Sequence, residues 1–106
     1  GVARALDNLI GNALRYAGRA EVSVACDAGM VRFVVEDDGP GIPEARRDEA
    51  LRQFARLDAA RNQDRGTGVG LGLAIAQEVA LGHGGRVRLG DSARLGGLRA
   101  ELILAV

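Results

Sequence analysis

Two strand-like runs, Glu21 to Cys26, which alternates through Val22 and Val24, and Met30 to Glu36, are separated only by Asp27-Ala28-Gly29. Strands joined by so short a turn form an antiparallel hairpin. The end of the chain repeats the theme: Val87 and Leu89 mark a third strand, and Leu98 to Val106 a fourth, after a loop around Gly96-Gly97. Between and before these pairs the spacing is helical. Leu6, Leu9, Ile10, Ala13, Leu14 and Ala17 give Val2 to Tyr16 one apolar face, while Arg4, Asn8, Asn12 and Arg15 recur on the other. Pro43 to Phe54 is predicted helical, with Pro43 in the first turn. Val69 to Leu81 is predicted as a long helix ended by Gly82-His83-Gly84-Gly85. Ala55 to Gly68 is polar, lacks periodicity and is long for a loop, so it reads as a mobile functional segment. Paired strands with helices between them give an α+β fold: a two-layer sandwich, its mixed, mostly antiparallel sheet covered by helices on one face.

The chain has 106 residues, enough for one domain spanning 1–106. One Tyr and two Phe supply all the aromatic side chains, so the core must be aliphatic. Net charge is zero and no basic run stands out, which argues against a nucleic-acid partner. The single cysteine, Cys26, cannot form an internal disulfide; it fits a reducing compartment and is expected as a buried strand residue. No signal peptide or membrane-spanning apolar run is visible, and the start on a helical pattern without Met reads as a fragment of a longer protein. Every basic residue is Arg, which removes the Walker A loop, the ordinary protein kinase and the pyridoxal enzyme, all of which need Lys.

Three short motifs carry chemistry. Asn8 and Asn12 sit one turn apart on a helix, where Asn is a poor interior residue. Their amide oxygens suit magnesium, or they belong to a solvated face. Asp37-Asp38-Gly39-Pro40-Gly41-Ile42 follows a strand. Asp37 there could accept from an amine such as that of adenine, or simply belong to a turn. Gly66-Thr67-Gly68-Val69-Gly70-Leu71-Gly72 enters a helix, whose free N–H groups attract phosphate; the alternative is a flexible hinge. Arg56 and Arg61 in the polar loop are phosphate ligands or solvated side chains. His83, at a helix end, reads as structural.

In this order the three motifs resemble the N, G1 and G2 boxes of the ATP-binding catalytic domain of sensor histidine kinases, within the superfamily of gyrase B, Hsp90 and MutL. The runs Val35 to Ile42 and Leu57 to Arg61 look most like the osmosensor branch. The resemblance covers essentially the whole chain and implies a Bergerat-type fold with ATP and Mg2+ as cofactors. It implies that Asn12 ligates the magnesium and that Asn8 lies beside the phosphates, where hydrolysing relatives carry a catalytic glutamate. Arg15 and Tyr16 match a pair that contacts phosphate and the adenine or ribose. Asp37 matches the adenine-binding aspartate, on a turn shaped by Gly39 and Gly41 and followed by Ile42. Phe54 and Arg56 match the F box, whose arginine reaches the γ-phosphate, and Phe54 to Gly68 the ATP lid. Thr67, Gly68, Val69, Gly70, Leu71 and Gly72 complete the nucleotide contacts.

The chain departs from the family pattern at Leu51, where the F box begins with Phe, and at Gly97-Leu98-Arg99-Ala100, where the family has Gly-Thr-Thr-Phe. It lacks the strand and helix that usually precede the N box, as well as the phosphoacceptor histidine and its dimerising hairpin. The implied function is kinase activity toward a histidine on a separate dimerisation domain of the same protein, with onward transfer to a response regulator. The parent would be a homodimer in the bacterial inner membrane, with this domain in the cytoplasm. The alternatives are a superfamily ATPase, a non-catalytic nucleotide-binding module and a serine kinase of the anti-sigma type. Against the ATPase, position 8 is not acidic, and Asp7 faces about a hundred degrees away.

Overall fold

A computed structural model describes residues 1–48, 50–51 and 69–105, with the backbone alone for 69–72. Helix α1 (Val2–Tyr16) leads into strands β1 (Ala20–Asp27) and β2 (Met30–Asp37). A 3-10 turn (Glu44–Arg46) follows. Helix α2 (Val69–Gly82) and strands β3 (Arg86–Asp91) and β4 (Leu98–Ala105) complete the described elements. The sheet order is β1-β2-β4-β3, and all three pairings are antiparallel, with no parallel pair among the described strands.

The registers put one side chain in two on a common face. Val35 lies opposite Ala100, Phe33 opposite Leu102, and Leu102 opposite Val87. This face meets Ala5, Leu9 and Ala13 of α1 and Leu73, Ala76 and Ala80 of α2. Among the described residues Leu9, Leu102 and Val35 are the largest fully buried side chains, each contributing about 1.5–3 kcal/mol by leaving water. The two helices also pack on one another, α1 above β1 and β2, α2 above β3 and β4.

Four expectations are corrected. Residues 44–46 form a 3-10 turn rather than a continuous α-helix from Pro43; helical backbone begins at Arg47, and Ala50 and Leu51 enter the core. The β1–β2 turn is shorter than read, since Asp27 pairs with Met30 and only Ala28 (φ 51°) and Gly29 (φ 79°) form the loop. Cys26 is on a strand but exposed, as are Val22 and Val24. All three alternate on the core-facing side of β1, but β1 is the sheet's edge and only its first residue, Ala20, packs against the core. Leu14 and Leu81, assigned to apolar helix faces, are 53% and 60% exposed. No described helix is long and apolar enough to cross a membrane.

Candidate functional site

Three chain elements end at the same edge of the sandwich. Asp37 is the last residue of β2, and the turn after it lies against the end of α1: a Cβ on Gly39 would sit 3.1 Å from the Tyr16 carbonyl oxygen and 3.3 Å from Ala17 Cβ. A Cβ on Gly41 (φ 74°) would lie 3.7 Å from the Gly97 carbonyl carbon and 4.0 Å from the Leu98 nitrogen, so the turn also passes close to the start of β4. Helix α2 finishes at the far end of β4, because the Ala105 N–H donates to the His83 carbonyl at 3.2 Å. Packed along β3 and β4, α2 therefore directs its N-terminus at Val69, about 20 Å away, toward the Asp37 end.

Asp37 is buried, 5% exposed, and its two oxygens have different surroundings. Oδ1 accepts from the Gly39 N–H at 2.9 Å and the Leu98 N–H at 3.0 Å. Oδ2 makes no hydrogen bond among the described residues. Asp38 Oδ1 accepts from the Gly18 and Arg19 N–H groups and ties down the α1–β1 connection. Both aspartates thus bond through Oδ1 alone among the described residues; what separates them is burial, Asp37 being buried and Asp38 exposed. Ile42 is held next to this turn by Arg47, whose Nε donates to the Ile42 carbonyl at 2.9 Å and whose guanidinium also reaches Asp91 at 2.8 Å.

Asn12 is buried, 8% exposed, so it does not belong to a solvated helix face. Its Oδ1 has no hydrogen-bond partner among the described residues, and neither has Asn8 Nδ2. A buried amide oxygen without a donor is costly unless something fills it. It is also the hard oxygen ligand that magnesium takes, so the residue fits such an ion. No cluster of three His, Cys, Asp or Glu exists among the described residues. Arg15 and Tyr16 are exposed at the end of α1. Partial burial raises the Tyr16 phenol pKa, and the Arg15 charge opposes that rise.

Phe54, Arg56, Arg61, Thr67 and Gly68 lie outside the described residues. Val69, Gly70, Leu71 and Gly72 form the first turn of α2. His83 is exposed, its N–H spent on the Val79 and Ala80 carbonyls in closing that helix. The sequence set Gly97-Leu98 against the family's Gly-Thr-Thr-Phe element as a poor match and gave neither residue a role, since a backbone N–H leaves no mark in residue type.

The sequence profile of the "histidine kinase-, DNA gyrase B-, and HSP90-like ATPase" family matches residues 1–105. The chain belongs to that family. It is similar to the sensor protein RstB of Escherichia coli, 45% identical over 97 residues, which are 91% of this chain and 22% of RstB. Among solved structures it resembles the ATP-binding domain of PrrB from Mycobacterium tuberculosis, with TM-score 0.69, 31% identity, and coverage of 95% of this chain and 63% of that one. It also resembles the histidine kinase domain of the Escherichia coli osmosensor EnvZ, with TM-score 0.63, 39% identity, and coverage of 97% and 62%. The α+β sandwich is thus the architecture of histidine kinase ATP-binding domains. The chain spans about a fifth of the length of the curated relatives it matches.

Proposed function

We propose that this domain binds ATP with magnesium and presents the γ-phosphate to a histidine on a separate dimerisation domain of its parent. The parent is then a sensor histidine kinase that passes the phosphate to a response regulator, works as a membrane-associated homodimer and keeps this domain in the cytoplasm. The observation that carries the reading is Asp37: a buried carboxylate with one oxygen fixed by two backbone donors and the other left for a ligand amine. Asn12, whose buried Oδ1 lacks a hydrogen-bond partner among the described residues, would supply the side-chain ligand to the ion. Magnesium, when bound, neutralises phosphate charge and so favours transfer.

In this reading the chain's contribution is placement. Asp37 sets the base at the end of β2, the first turn of α2 offers N–H groups to the phosphates, and Asn8 stands next to them. Arg56 steadies the charge of the transferring group. Asn8 is neutral, which suits an imidazole acceptor that is its own nucleophile and needs no base to activate water. The relatives named as sensor proteins and the match to the osmosensor's kinase domain support the same reading.

The test is phosphotransfer. The parent protein is incubated with γ-labelled ATP and magnesium, and acid-labile label is followed on its acceptor histidine. Labelling that is lost in Asn12→Ala with the fold intact is the expected result. Steady release of inorganic phosphate without any phosphohistidine would replace the kinase reading with the ATPase one.

A further inference from the structure

Gly97 sits where no side chain fits. A Cβ there would meet Asp37 Oδ1, and it would lie 2.5 Å from the Asp37 carbonyl oxygen and from the Gly39 nitrogen, far inside van der Waals contact. The residue is buried, and the next one, Leu98, gives its N–H to Asp37 Oδ1. The turn carrying Gly97 is fastened at several points. The Ser92 N–H donates to the Gly97 carbonyl at 2.8 Å and the Gly96 N–H to the Ser92 carbonyl at 2.7 Å. Ser92 is 2% exposed; its Oγ accepts from the Leu95 N–H and donates to Glu36 Oε2 at 3.0 Å. Arg94 from the same turn pairs with Glu21 on β1 and reaches Glu36 Oε1 at 3.4 Å. Glu36 directly precedes Asp37, so the turn is held to the very segment on which it presses.

We infer that the β3–β4 turn, through Gly97 and the Leu98 N–H, is a positioning device that sets how strongly the site selects an amino-purine. A carboxylate can swing about its χ2 axis and share either oxygen. Here two donors converge on Oδ1, and Gly97 backs onto that same oxygen with no room for a Cβ between them. Oδ2 is thereby presented in one direction, and discrimination for a base with an exocyclic amine depends on that direction. Gly97 and Leu98 touch no nucleotide in this scheme; they act through Asp37. The inference rests on the proposal that Asp37 Oδ2 receives the adenine amine.

The experiment measures affinity of the chain, with magnesium, for ATP and for purine riboside triphosphate, which is ATP without the amine. The chain is compared with Gly97→Ala, Ser92→Ala, Asp37→Asn and the Gly97→Ala/Asp37→Asn double variant, and melting curves confirm folding. Wild type should prefer ATP by about tenfold or more, the scale of a hydrogen bond to a charged acceptor. Gly97→Ala should remove most of that preference while changing affinity for the amine-free nucleotide by less than about twofold, and it should add nothing in the Asp37→Asn background, as coupled sites do. Ser92→Ala, which loosens the turn without a clash, should lower the preference partially, and it decides the matter if Gly97→Ala does not fold. Equal losses for both nucleotides, or additive losses in the double variant, overturn the inference while Asp37 recognition stands. A wild type indifferent to the amine overturns the Asp37 reading itself.

Discussion

Substituting Asp37 by Asn changes one atom, and the structure dictates where that atom goes. The Gly39 and Leu98 N–H groups both point at the inner oxygen at 2.9 and 3.0 Å. An amide placed there must keep its oxygen inward, because turning NH2 toward two donors would leave both buried N–H groups unsatisfied. The outer position, where Oδ2 stood, becomes a donor and would face the donor amine of adenine. The loss is a hydrogen bond to a charged acceptor, about 1.5–3 kcal/mol, plus the cost of two donors left facing each other, about 1 kcal/mol more. The sum corresponds to a fall in ATP affinity of about a hundredfold to a thousandfold. The fold should lose little, on the order of 1 kcal/mol, since the inner bonds persist with a neutral acceptor in place of a charged one. Calorimetry with a non-hydrolysable ATP analogue and magnesium, beside a thermal melt, reads both quantities. An affinity within about threefold of wild type would refute the reasoning, and so would a large loss of stability.

Three further outcomes follow from local geometry. Ala28 holds φ 51° in the β1–β2 turn, a conformation that favours Asn or Gly, so Ala28→Asn should stabilise the domain by about 0.5–1 kcal/mol, seen as a melting temperature higher by a few degrees; no rise would mean the turn relaxes elsewhere. Glu21 has its carboxyl pKa lowered by the hydrogen bond from Arg94 first and that from Arg19 second. A carboxylate with a depressed folded-state pKa contributes stability above its ordinary value near about 4.3 and loses it as pH falls through the lower folded value. The melting-temperature gap between wild type and Glu21→Gln should therefore be present at neutral pH and close below about pH 4, and a gap that widens in acid would contradict the pairing. Incubation of the chain with labelled ATP should leave His83 unphosphorylated, since it belongs to the turn closing α2; acid-labile label on His83, found by peptide mapping, would place the acceptor inside this domain.

Much of the fold was legible because periodicity is a strong signal in an aliphatic chain. The spacing of Leu6, Leu9, Ile10 and Ala13 delimited α1 with the bounds the structure has, and the short gap after Cys26 forced the hairpin. Alternation says which side chains share a face, however, and not what covers that face. Val22, Val24 and Cys26 alternate correctly and are still exposed, since an edge strand has a neighbour on one side only. Leu14 and Leu81 failed for a related reason: an apolar stripe can be wider than the surface that meets it. Within the site, Asp37 and Asn12 were visible because a carboxylate on a glycine turn and an amide inside a helix are unusual choices. The Leu98 contribution was invisible, being a main-chain N–H, and the poor match of Gly97-Leu98-Arg99-Ala100 to the family element hid the close approach of Gly97 to Asp37.

The exposed Cys26 gives the molecule a chemical handle that nature did not duplicate elsewhere in the chain. It lies opposite Val31, whereas Asp37 lies opposite Ala20; six residues of strand, about 20 Å, separate the two ends of β1. A thiol-reactive dye would therefore attach at one defined point, remote from the Asp37 turn and without any engineered residue. The same atom sets a handling rule. An exposed thiol is open to oxidation, so a reductant belongs in every binding buffer, and a dimer band that vanishes on reduction is a product of that oxidation alone.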